Sequence, residues 1–433
     1  MTENKKYIVN ISWLMFERIL RVAVVFFITV YIVRFLGPEK FGILSYVLSF
    51  SGLFLAFAGL GLDTVVVRNL VRHPDSANDL LGTAFCLKLS GGLIAIILAV
   101  AASISISNSH YLTALIALTA TMFLFKAVDV IDLYFQSQVK SVYVAQALLA
   151  QLLIMAMVKL LLIYLAAELW WFVVAFLLDT VLLSSFLLLN YFRVVGPINW
   201  SWDMRKAKEL MADSWPLMFS GLVISIYMKV DQVMIKDMLG LQEVGYYAAA
   251  VKLSEGFYFI PAIIASSLFP MIVKEKNNKE SSALRSVQLL YDIMFYISLP
   301  LALTVFMQAR YVVEIIFGLE YSAAAEVLAI HMWALIFVSL GVARGKWIVS
   351  ENLQLYSAGF LLVGLAINIA LNLVLIPRFG IVGAAYALLF AQIFGTYVAP
   401  IFFRKTRISF FMMTRSLFCL NMFAFLFRAR KLF

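Results

Sequence analysis

The residues with the clearest chemical potential are ionisable side chains inside long apolar segments. The segment 214–236 is apolar along almost its whole length, yet it carries Lys229 and Asp231 in its second half. The next apolar segment contains Lys252 and Glu255. A charge at the centre of a membrane helix costs roughly 2.5–3.5 kcal/mol on insertion scales, so such residues face a bundle interior or a water-filled cavity. These four residues therefore predict a polar pathway, with ion pairs that only hold helices together as the alternative.

Six bases and four acids lie within the apolar segments as a whole. The bases are Arg18, Arg21, Lys88, Lys159, Lys229 and Lys252, and the acids are Glu17, Asp179, Asp231 and Glu255. Lysine and arginine are natural partners of a diphosphate, so we expect the bases to line a central cavity between two lobes and hold an anionic headgroup. The acids are candidates for ion coupling, since a carboxylate near bases can exchange a proton as access alternates.

In the alternative interpretation, the charged residues form ion pairs within single helices. Arg21 lies one turn from Glu17, and Lys252 lies one turn from Glu255, which leaves little net charge at either place. Lys88 has no acid within a turn, and neither does Lys159. Both interpretations stay open at the level of the sequence.

Composition places all these residues in a membrane protein. The 433-residue chain is 64% hydrophobic and 13% charged, whereas soluble domains are about half apolar and a quarter charged. A net charge of +10 in such a chain indicates basic cytoplasmic loops rather than nucleic-acid binding. Its two cysteines, Cys86 and Cys419, lie far apart and predict neither a disulfide framework nor a metal cluster.

A membrane-spanning helix needs about 20 mostly apolar residues, and by this criterion the sequence predicts twelve transmembrane spans. Their expected bounds are 11–33, 43–62, 82–104, 111–131, 142–165, 169–192, 214–236, 244–272, 287–309, 324–343, 355–376 and 381–403. The fold class is thus an all-α polytopic membrane protein with both termini on one side. The apolar tail 409–427 is expected to form a helix on the inner membrane face, with a thirteenth span as the alternative.

Basic residues orient these spans. Lysine and arginine concentrate in the segments on the side of the termini, where Arg68, Lys126 and Arg344 are counted. The opposite side holds only Arg34, Lys40, Lys236, Arg310 and Arg378. Because cytoplasmic loops carry the excess of lysine and arginine, both termini are predicted to be cytoplasmic. The longest inside connection, 193–213, has charges at helical spacing and predicts an interfacial amphipathic helix between the halves.

A short motif occurs twice at half the chain length. Leu36–Gly42 and Leu239–Gly245 both read Leu-Gly, three residues, one apolar residue, Gly. Transporters built from repeats have this kind of self-similarity. We therefore expect two pseudo-symmetric six-helix lobes, at 1–200 and 201–405, followed by a basic cytoplasmic tail at 406–433.

Motifs of catalysis are missing from the sequence. The three histidines, His73, His110 and His331, are scattered without ligand spacing, and no paired carboxylates stand in a catalytic context. The sequence predicts a protein that is not an enzyme and has no metal site and no cofactor. The intramembrane acids named above are instead candidates for coupling to a proton or a sodium ion.

The order of several motifs resembles a known family. The series begins with Arg34–Gly42, Gly61-Leu62-Asp63 and Arg68, continues with Asp231, Gly240, Val244-Gly245-Tyr246-Tyr247, Ala250 and Lys252, and ends with Gly380–Ala385. In this series the chain is similar to Wzx-type O-antigen and polysaccharide flippases to about residue 405. Lipid II flippases and multidrug exporters are related branches, so the resemblance implies a MATE/MOP-like fold.

The resemblance also implies a function. The chain would flip an undecaprenyl-diphosphate-linked oligosaccharide, the repeat unit of O-antigen or another polysaccharide, from the inner to the outer leaflet by alternating access. The location implied is the bacterial inner membrane, with membrane lipids, a polysaccharide polymerase and a chain-length regulator as partners and no nucleic acid. A multidrug or metabolite antiporter of the same fold is the alternative, and an integral-membrane polysaccharide polymerase is a further one.

The orientation can be tested with alkaline phosphatase fusions. A fusion after Asn108 is expected to be active and one after Asn278 inactive, because this disulfide-containing reporter matures only outside the reducing cytoplasm. The reverse pattern of activities would overturn the predicted topology.

Overall fold

The computed structural model describes residues 3–106, 109–278, 280–351 and 353–418, and every regular element in them is helical. Helices are expected here because a backbone in lipid must satisfy its own hydrogen bonds. The chain divides into two compact units, Met1–Val233 (unit 1) and Met234–Phe433 (unit 2).

Unit 1 is built from nine helices and most of a tenth among the described residues. They are α1 Glu3–Gly52, α2 Leu55–Gly59, α3 Leu62–Arg72, α4 Ala77–Ile106, α5 His110–Ala120, α6 Met122–Phe125, α7 Val130–Ser137, α8 Val142–Tyr164, α9 Leu169–Val194 and α10 Met204–Leu239. A 3-10 turn, Lys126–Asp129, joins α6 to α7. Within the unit, α8 packs against both α1 and α9, and α4 packs against α2 and α5.

Unit 2 contains the remaining helices. They are α11 Leu241–Glu255, α12 Phe259–Asn278, α13 Glu280–Phe317, α14 Ala324–Ser350, α15 Gln354–Gln392 and α16 Arg407–Leu417. A π-helix, Ile393–Val398, continues α15. The pair α13 and α14 forms the centre of this unit, with α12 packed against both and α15 against α14.

The surfaces of both units are apolar. Phe27, Ile97, Met157 and Met307 are each more than 60% exposed on long helices. Large exposed apolar areas mark membrane or protein contacts, and the lengths of these helices indicate lipid. The chain is therefore a multi-pass membrane protein.

The count of spans differs from the sequence prediction in two places. Among the described residues, ten helical segments are long and apolar enough to cross a membrane. Two of them, Leu20–Gly52 and Tyr356–Phe402, each continue through a glycine with non-helical backbone angles, Gly37 and Gly380. These glycines fall between predicted spans 1 and 2 and between spans 11 and 12. The expected twelve spans, their orientation and the two six-helix lobes stay predictions.

Two predicted spans are broken in the structure. The span 244–272 is interrupted at 256–258, between α11 and α12, shortly before Pro261. The span 111–131 loses α-helical geometry around Thr121 and again at the 3-10 turn. The breaks within 111–131 could not be located from the sequence, because this segment contains no proline or glycine.

The connection near residue 200 does not form the separate interfacial helix that the charge spacing predicts. Its charged segment is the first part of α10, which continues without interruption into the apolar span. Asp203 begins that helix, since its Oδ1 accepts hydrogen bonds from the backbone N–H of Arg205 at 2.8 Å and of Lys206 at 3.3 Å. Such a cap satisfies amide groups that the first helical turn leaves free.

Polar contacts fasten this connection to α3 and α4. Lys206 Nζ lies 2.6 Å from Asp79 Oδ2, and Asp213 accepts a hydrogen bond from Arg68. Gly82 permits the approach, because a Cβ at this position would lie 2.4 Å from the backbone oxygen of Ser201. The segment is thus bonded into unit 1, while the expected lobe boundary at 200/201 stays a prediction.

The tail forms a helix where the sequence predicts one, in α16. Its Ser409, Met412, Met413 and Ser416 are buried, and α16 packs against α13. Residues 419–427 of the predicted segment lie outside the described residues, so the choice between an interfacial helix and a thirteenth span stays a prediction.

The two copies of the Leu-Gly motif have matching backbone geometry. Gly37 has φ 68° and ψ 171°, and Gly240 has φ 107° and ψ 177°. This region of backbone angles is essentially restricted to glycine. In the first copy Pro38 follows at once, at a helix start where no N–H donor is needed. The repeated motif therefore marks two similar breaks between helices.

Replacing Gly240 by alanine tests the backbone requirement. A Cβ there would meet no atom within 4 Å, so the expected destabilisation, about 1–3 kcal/mol, comes from backbone strain alone. Thermal unfolding in detergent measures it. Gly359→Ala is the control, because Gly359 also has open space but lies inside α15, where alanine is neutral or favourable. Equal stability of the two variants would contradict the prediction.

Candidate functional site

The first predicted base and acid meet on α1. Glu17 is buried, and its Oε1 accepts a hydrogen bond from Arg21 Nε at 2.5 Å. Arg21 also donates through Nη2 to the backbone oxygen of Leu148 on α8 at 3.2 Å. Arg18 is exposed. The ion pair that the sequence offers as an alternative is thus present, and it also connects two helices.

A second pair joins α8 to α9. Asp179 on α9 accepts a hydrogen bond from Lys159 Nζ on one oxygen and from Gln151 Nε2, at 2.5 Å, on the other. The Lys159 ammonium also lies 4.5 Å from the centroid of the Phe176 ring. The Lys159 and Asp179 side chains are only 13% and 20% exposed, so this is a mostly buried, fully partnered carboxylate.

A third pair has an unequal burial. Lys88 on α4 is 4% exposed, whereas Asp63 at the start of α3 is 66% exposed, and their Nζ and Oδ1 atoms lie 2.6 Å apart. The ammonium reaches from the interior of unit 1 to a carboxylate at its surface. An anion arriving at that surface would therefore compete with Asp63 for Lys88.

Further charges surround this pair. Lys126 and Asp129, at the two ends of the 3-10 turn, form an ion pair at 3.0 Å. Asp132 on α7 interacts electrostatically with both of them and with Asp63 and Lys88. We call these five residues the unit-1 charge cluster. It contains three carboxylates and two ammonium groups, and each ammonium already has its own carboxylate partner.

The charges of α10 lie in unit 1. The stem of Lys229 packs beside Gly52 of α1, where an added Cβ would lie 3.6 Å from Lys229 Cγ. Asp231 is buried, and both residues interact within the chain. The neighbouring Gln232 accepts a hydrogen bond from Ser49 of α1 at 2.8 Å. This part of α10 is therefore a polar contact with α1.

The last predicted base and acid belong to unit 2. Lys252 and Glu255 on α11 lie 3.6 Å apart, with 50% and 29% of their side chains exposed. Nearby, His331 is buried between Ser254 and the hydroxyl of Tyr247, at 3.4 Å and 3.3 Å. This histidine forms hydrogen bonds within the core of the unit.

Arg344 is not the loop charge that the topology count assumes. It is buried in α14, where Nη1 donates to the backbone oxygens of Gly395 at 2.9 Å and Thr396 at 2.6 Å. Its guanidinium also lies 4.7 Å from the centroid of the Phe360 ring. The π-helix leaves carbonyl groups for such a donor, so Arg344 stabilises an irregular turn. The sequence prediction for this residue is wrong because α14 extends beyond the expected end of the span.

The predicted bases are thus mostly paired. Arg21, Lys88, Lys159 and Lys252 each contact a carboxylate, and for Lys88 and Lys159 the acid comes from another helix. Five of the six bases lie in unit 1. Their roles in binding substrate, and the roles of the four acids in ion coupling, stay predictions.

Sequence reasoning missed most of the charge cluster. Asp63 entered only as part of a family motif, and Lys126 was counted as a loop residue. The spacing of Lys126, Asp129 and Asp132 is the signal that was available, because residues three apart share a helix face. No group of histidine, cysteine and acidic side chains suited to a metal occurs in the described part of the chain.

The pair between α8 and α9 yields a stability prediction. Lys159→Met leaves Asp179 without its ammonium partner and is expected to destabilise the protein by about 3–5 kcal/mol. Lys159→Met combined with Asp179→Asn removes both charges and should recover most of that loss. Unfolding in detergent measures both variants.

Arg310→Met is the matched control for this experiment. Arg310 is 78% exposed near the end of α13, and it is paired one turn away with Glu314, so the expected change is at most about 1 kcal/mol. The prediction fails if Lys159→Met is as stable as this control, or if the double variant is less stable than the single one.

Comparison with known proteins supplies relatives across the chain. It is 26% identical over 188 residues to the Probable low-salt glycan biosynthesis flippase Agl15 of Haloferax volcanii, which covers 43% of this chain and 39% of that protein. It is 20% identical over 389 residues to the Capsular polysaccharide biosynthesis protein CapF of Staphylococcus aureus, covering 88% and 96%. The first match therefore spans less than half the length of its relative.

Solved structures support the expected fold. An inward-facing multidrug resistance MATE family transporter of the MOP superfamily is similar with a TM-score of 0.72 and 15% identity, covering 91% of this chain and 96% of that one. The lipid II flippase MurJ in an inward closed conformation gives 0.67 and 13%, covering 96% and 92%. These likenesses confirm a MATE/MOP-like helical fold.

The sequence profile of one family matches residues 31–326, about two thirds of the chain. The match includes the ion pairs of α4, α8 and α9 and most of unit 1. It confirms the resemblance that the motifs indicate, and the chain belongs to the family of polysaccharide biosynthesis proteins.

Proposed function

We propose that this protein is a flippase that moves an undecaprenyl-diphosphate-linked oligosaccharide from the inner to the outer leaflet of the bacterial inner membrane. Family membership is the observation that carries this proposal. It is supported by the flippase named among the relatives and by the lipid II flippase among structures of the same fold. The ten apolar helical segments of the described part of the chain provide the membrane body that such a substrate requires.

The geometry of Lys88 and Asp63 suits a charged headgroup. Lys88 is buried but ends at an exposed carboxylate, so a diphosphate can take the place of Asp63 without leaving the ammonium unpaired. Lys126 also interacts electrostatically with Asp63. Charge-assisted hydrogen bonds to phosphate are the strong ones, and lysine supplies them as a point charge.

Displacement of a carboxylate from its ammonium partner also provides a mechanism for coupling transport to an ion gradient. A carboxylate displaced by the diphosphate loses its ammonium partner, and a proton or a sodium ion can take the place of that partner. Asp63 and Asp132 of the charge cluster are added here to Asp231, Glu255, Glu17 and Asp179 as candidates. Proton or sodium coupling by alternating access follows from this chemistry as part of the proposal.

The cellular setting completes the proposal. A flippase of repeat units hands its product to a polysaccharide polymerase and a chain-length regulator on the outer side, with both termini of the chain in the cytoplasm. Transport of a small cationic compound by the same fold is the competing function, and the experiments below distinguish the two.

Lys88→Gln is expected to reduce surface polysaccharide about 10- to 100-fold in a flippase-null strain at matched protein level. The estimate is the loss of one charge-assisted hydrogen bond, about 1.5–3 kcal/mol. Lys88→Arg should retain most of the export, because the anion needs a cation first. Arg310→Gln is the control, since Arg310 is 78% exposed and paired one turn away with Glu314.

Lys88→Gln combined with Asp63→Asn separates binding from packing. If Lys88 binds substrate, this double variant remains defective in export although no unpaired charge is left. Recovery of export to the level of Arg310→Gln would show that Lys88 serves only to neutralise Asp63, and the proposed binding role would be wrong.

A further inference from the structure

A groove in unit 2 is lined by none of the charged residues discussed above. It runs between the first turns of α13 and the helix α16 and has a volume of about 410 Å³. Its wall is formed by Leu284, Arg285, Gln288, Ile408, Phe411, Met412 and Arg415. The groove is therefore apolar with two guanidinium groups, one from each helix.

Both arginines are available to a ligand. Arg285 and Arg415 are exposed, and neither has an ion pair or hydrogen-bond partner among the residues that the structure describes. Two unpaired guanidinium groups facing one groove favour an anion, and a phosphate in particular.

The back of the groove holds a third polar feature. Gln288 is 7% exposed, and its Nε2 donates to Asp292 at 2.9 Å, to the Met412 carbonyl at 3.1 Å and to Ser416 at 3.0 Å. Its Oε1 is buried and has no hydrogen-bond partner within the described part of the chain. These hydrogen bonds join α13 to α16 at the inner wall of the groove, so Arg285 and Arg415 are held on either side of it.

Asp292 does not cancel the charge of the groove. It is 1% exposed and lies behind Gln288, and its Oδ1 also accepts a hydrogen bond from Ser416 at 2.6 Å. One buried carboxylate against two exposed guanidinium groups leaves the groove net positive. An anion of one or two charges therefore fits.

The surroundings indicate that the anion is carried by a lipid. Ile408 and Phe411 are 40% and 53% exposed beside the arginines, and Phe418 at the end of α16 is 69% exposed. An acyl chain can lie against these side chains while its phosphate meets the guanidinium groups. A free phosphate would leave this apolar surface uncovered.

We propose that the groove between α13 and α16 binds an anionic phospholipid. The phosphate sits between Arg285 and Arg415, and an acyl chain covers Ile408 and Phe411. Such a lipid fastens α16 onto α13. This site lies within unit 2, and its lining contains no residue that is proposed above to bind substrate.

Native mass spectrometry of the full chain, purified in detergent and titrated with phosphatidylglycerol, tests the proposal. One lipid is expected to bind the unmodified protein with preference over phosphatidylcholine. A basic residue near an anionic lipid is worth about a factor of five in affinity, so Arg285→Gln with Arg415→Gln should weaken binding about 25-fold. Arg404→Gln with Lys405→Gln is the control, because these exposed bases do not line the groove.

Four outcomes would overturn the assignment. They are equal binding of phosphatidylglycerol and phosphatidylcholine, wild-type binding by the groove variant, an equal loss in the control variant, and full displacement of the lipid by inorganic phosphate. Displacement by a short prenyl diphosphate at lower concentration than phosphatidylglycerol would assign the groove to the substrate instead. Arg285→Lys with Arg415→Lys guards against misfolding, since this variant keeps the charge and should retain the lipid.

Discussion

An ionic side chain within a bilayer needs a counter-ion inside the same bundle, and unit 1 is organised around that requirement. The ion pairs of Lys159 and Lys88 connect α8 to α9 and α4 to α3, and Arg21, which is paired within α1, also donates a hydrogen bond to a backbone oxygen of α8. Helices in lipid gain little from apolar contact alone, so polar contacts between them select one packing. In the proposed function, the same contacts supply the cations that meet an anionic headgroup when it displaces the carboxylate partner.

The sequence predicted the partners of some charged residues and not those of others. Arg21 and Lys252 have acids one turn away, and both pairs form. The partners of Lys88 and Lys159 lie on other helices, and periodicity within one helix contains no information about which helices are neighbours. Asp63 illustrates the limit, since only its place in a motif drew attention to it.

The class of helical membrane protein followed from composition, because a hydrophobic share of 64% is far above the share of about half that is typical of soluble domains. Helix boundaries were harder. At Gly37 and Gly380 the helix changes direction and continues, where the sequence predicts two separate spans. The helix α14 extends past its expected end, and Arg344 is therefore buried in it. Such details depend on which carbonyl groups a neighbouring segment leaves free, as the π-helix does for Arg344.

Reconstitution tests the central claim that this chain moves a diphosphate-linked saccharide across a bilayer. Purified protein in vesicles would receive a fluorescent undecaprenyl-diphosphate oligosaccharide in one leaflet, and a lectin added outside would report its arrival in the other. The account predicts transfer that depends on the protein and is strongly reduced by Lys88→Gln. The assay would be run under an imposed proton or sodium gradient, and uptake of a small cationic compound would be measured in the same vesicles. The account would be contradicted if these vesicles took up the cation but transferred the oligosaccharide no faster than protein-free vesicles.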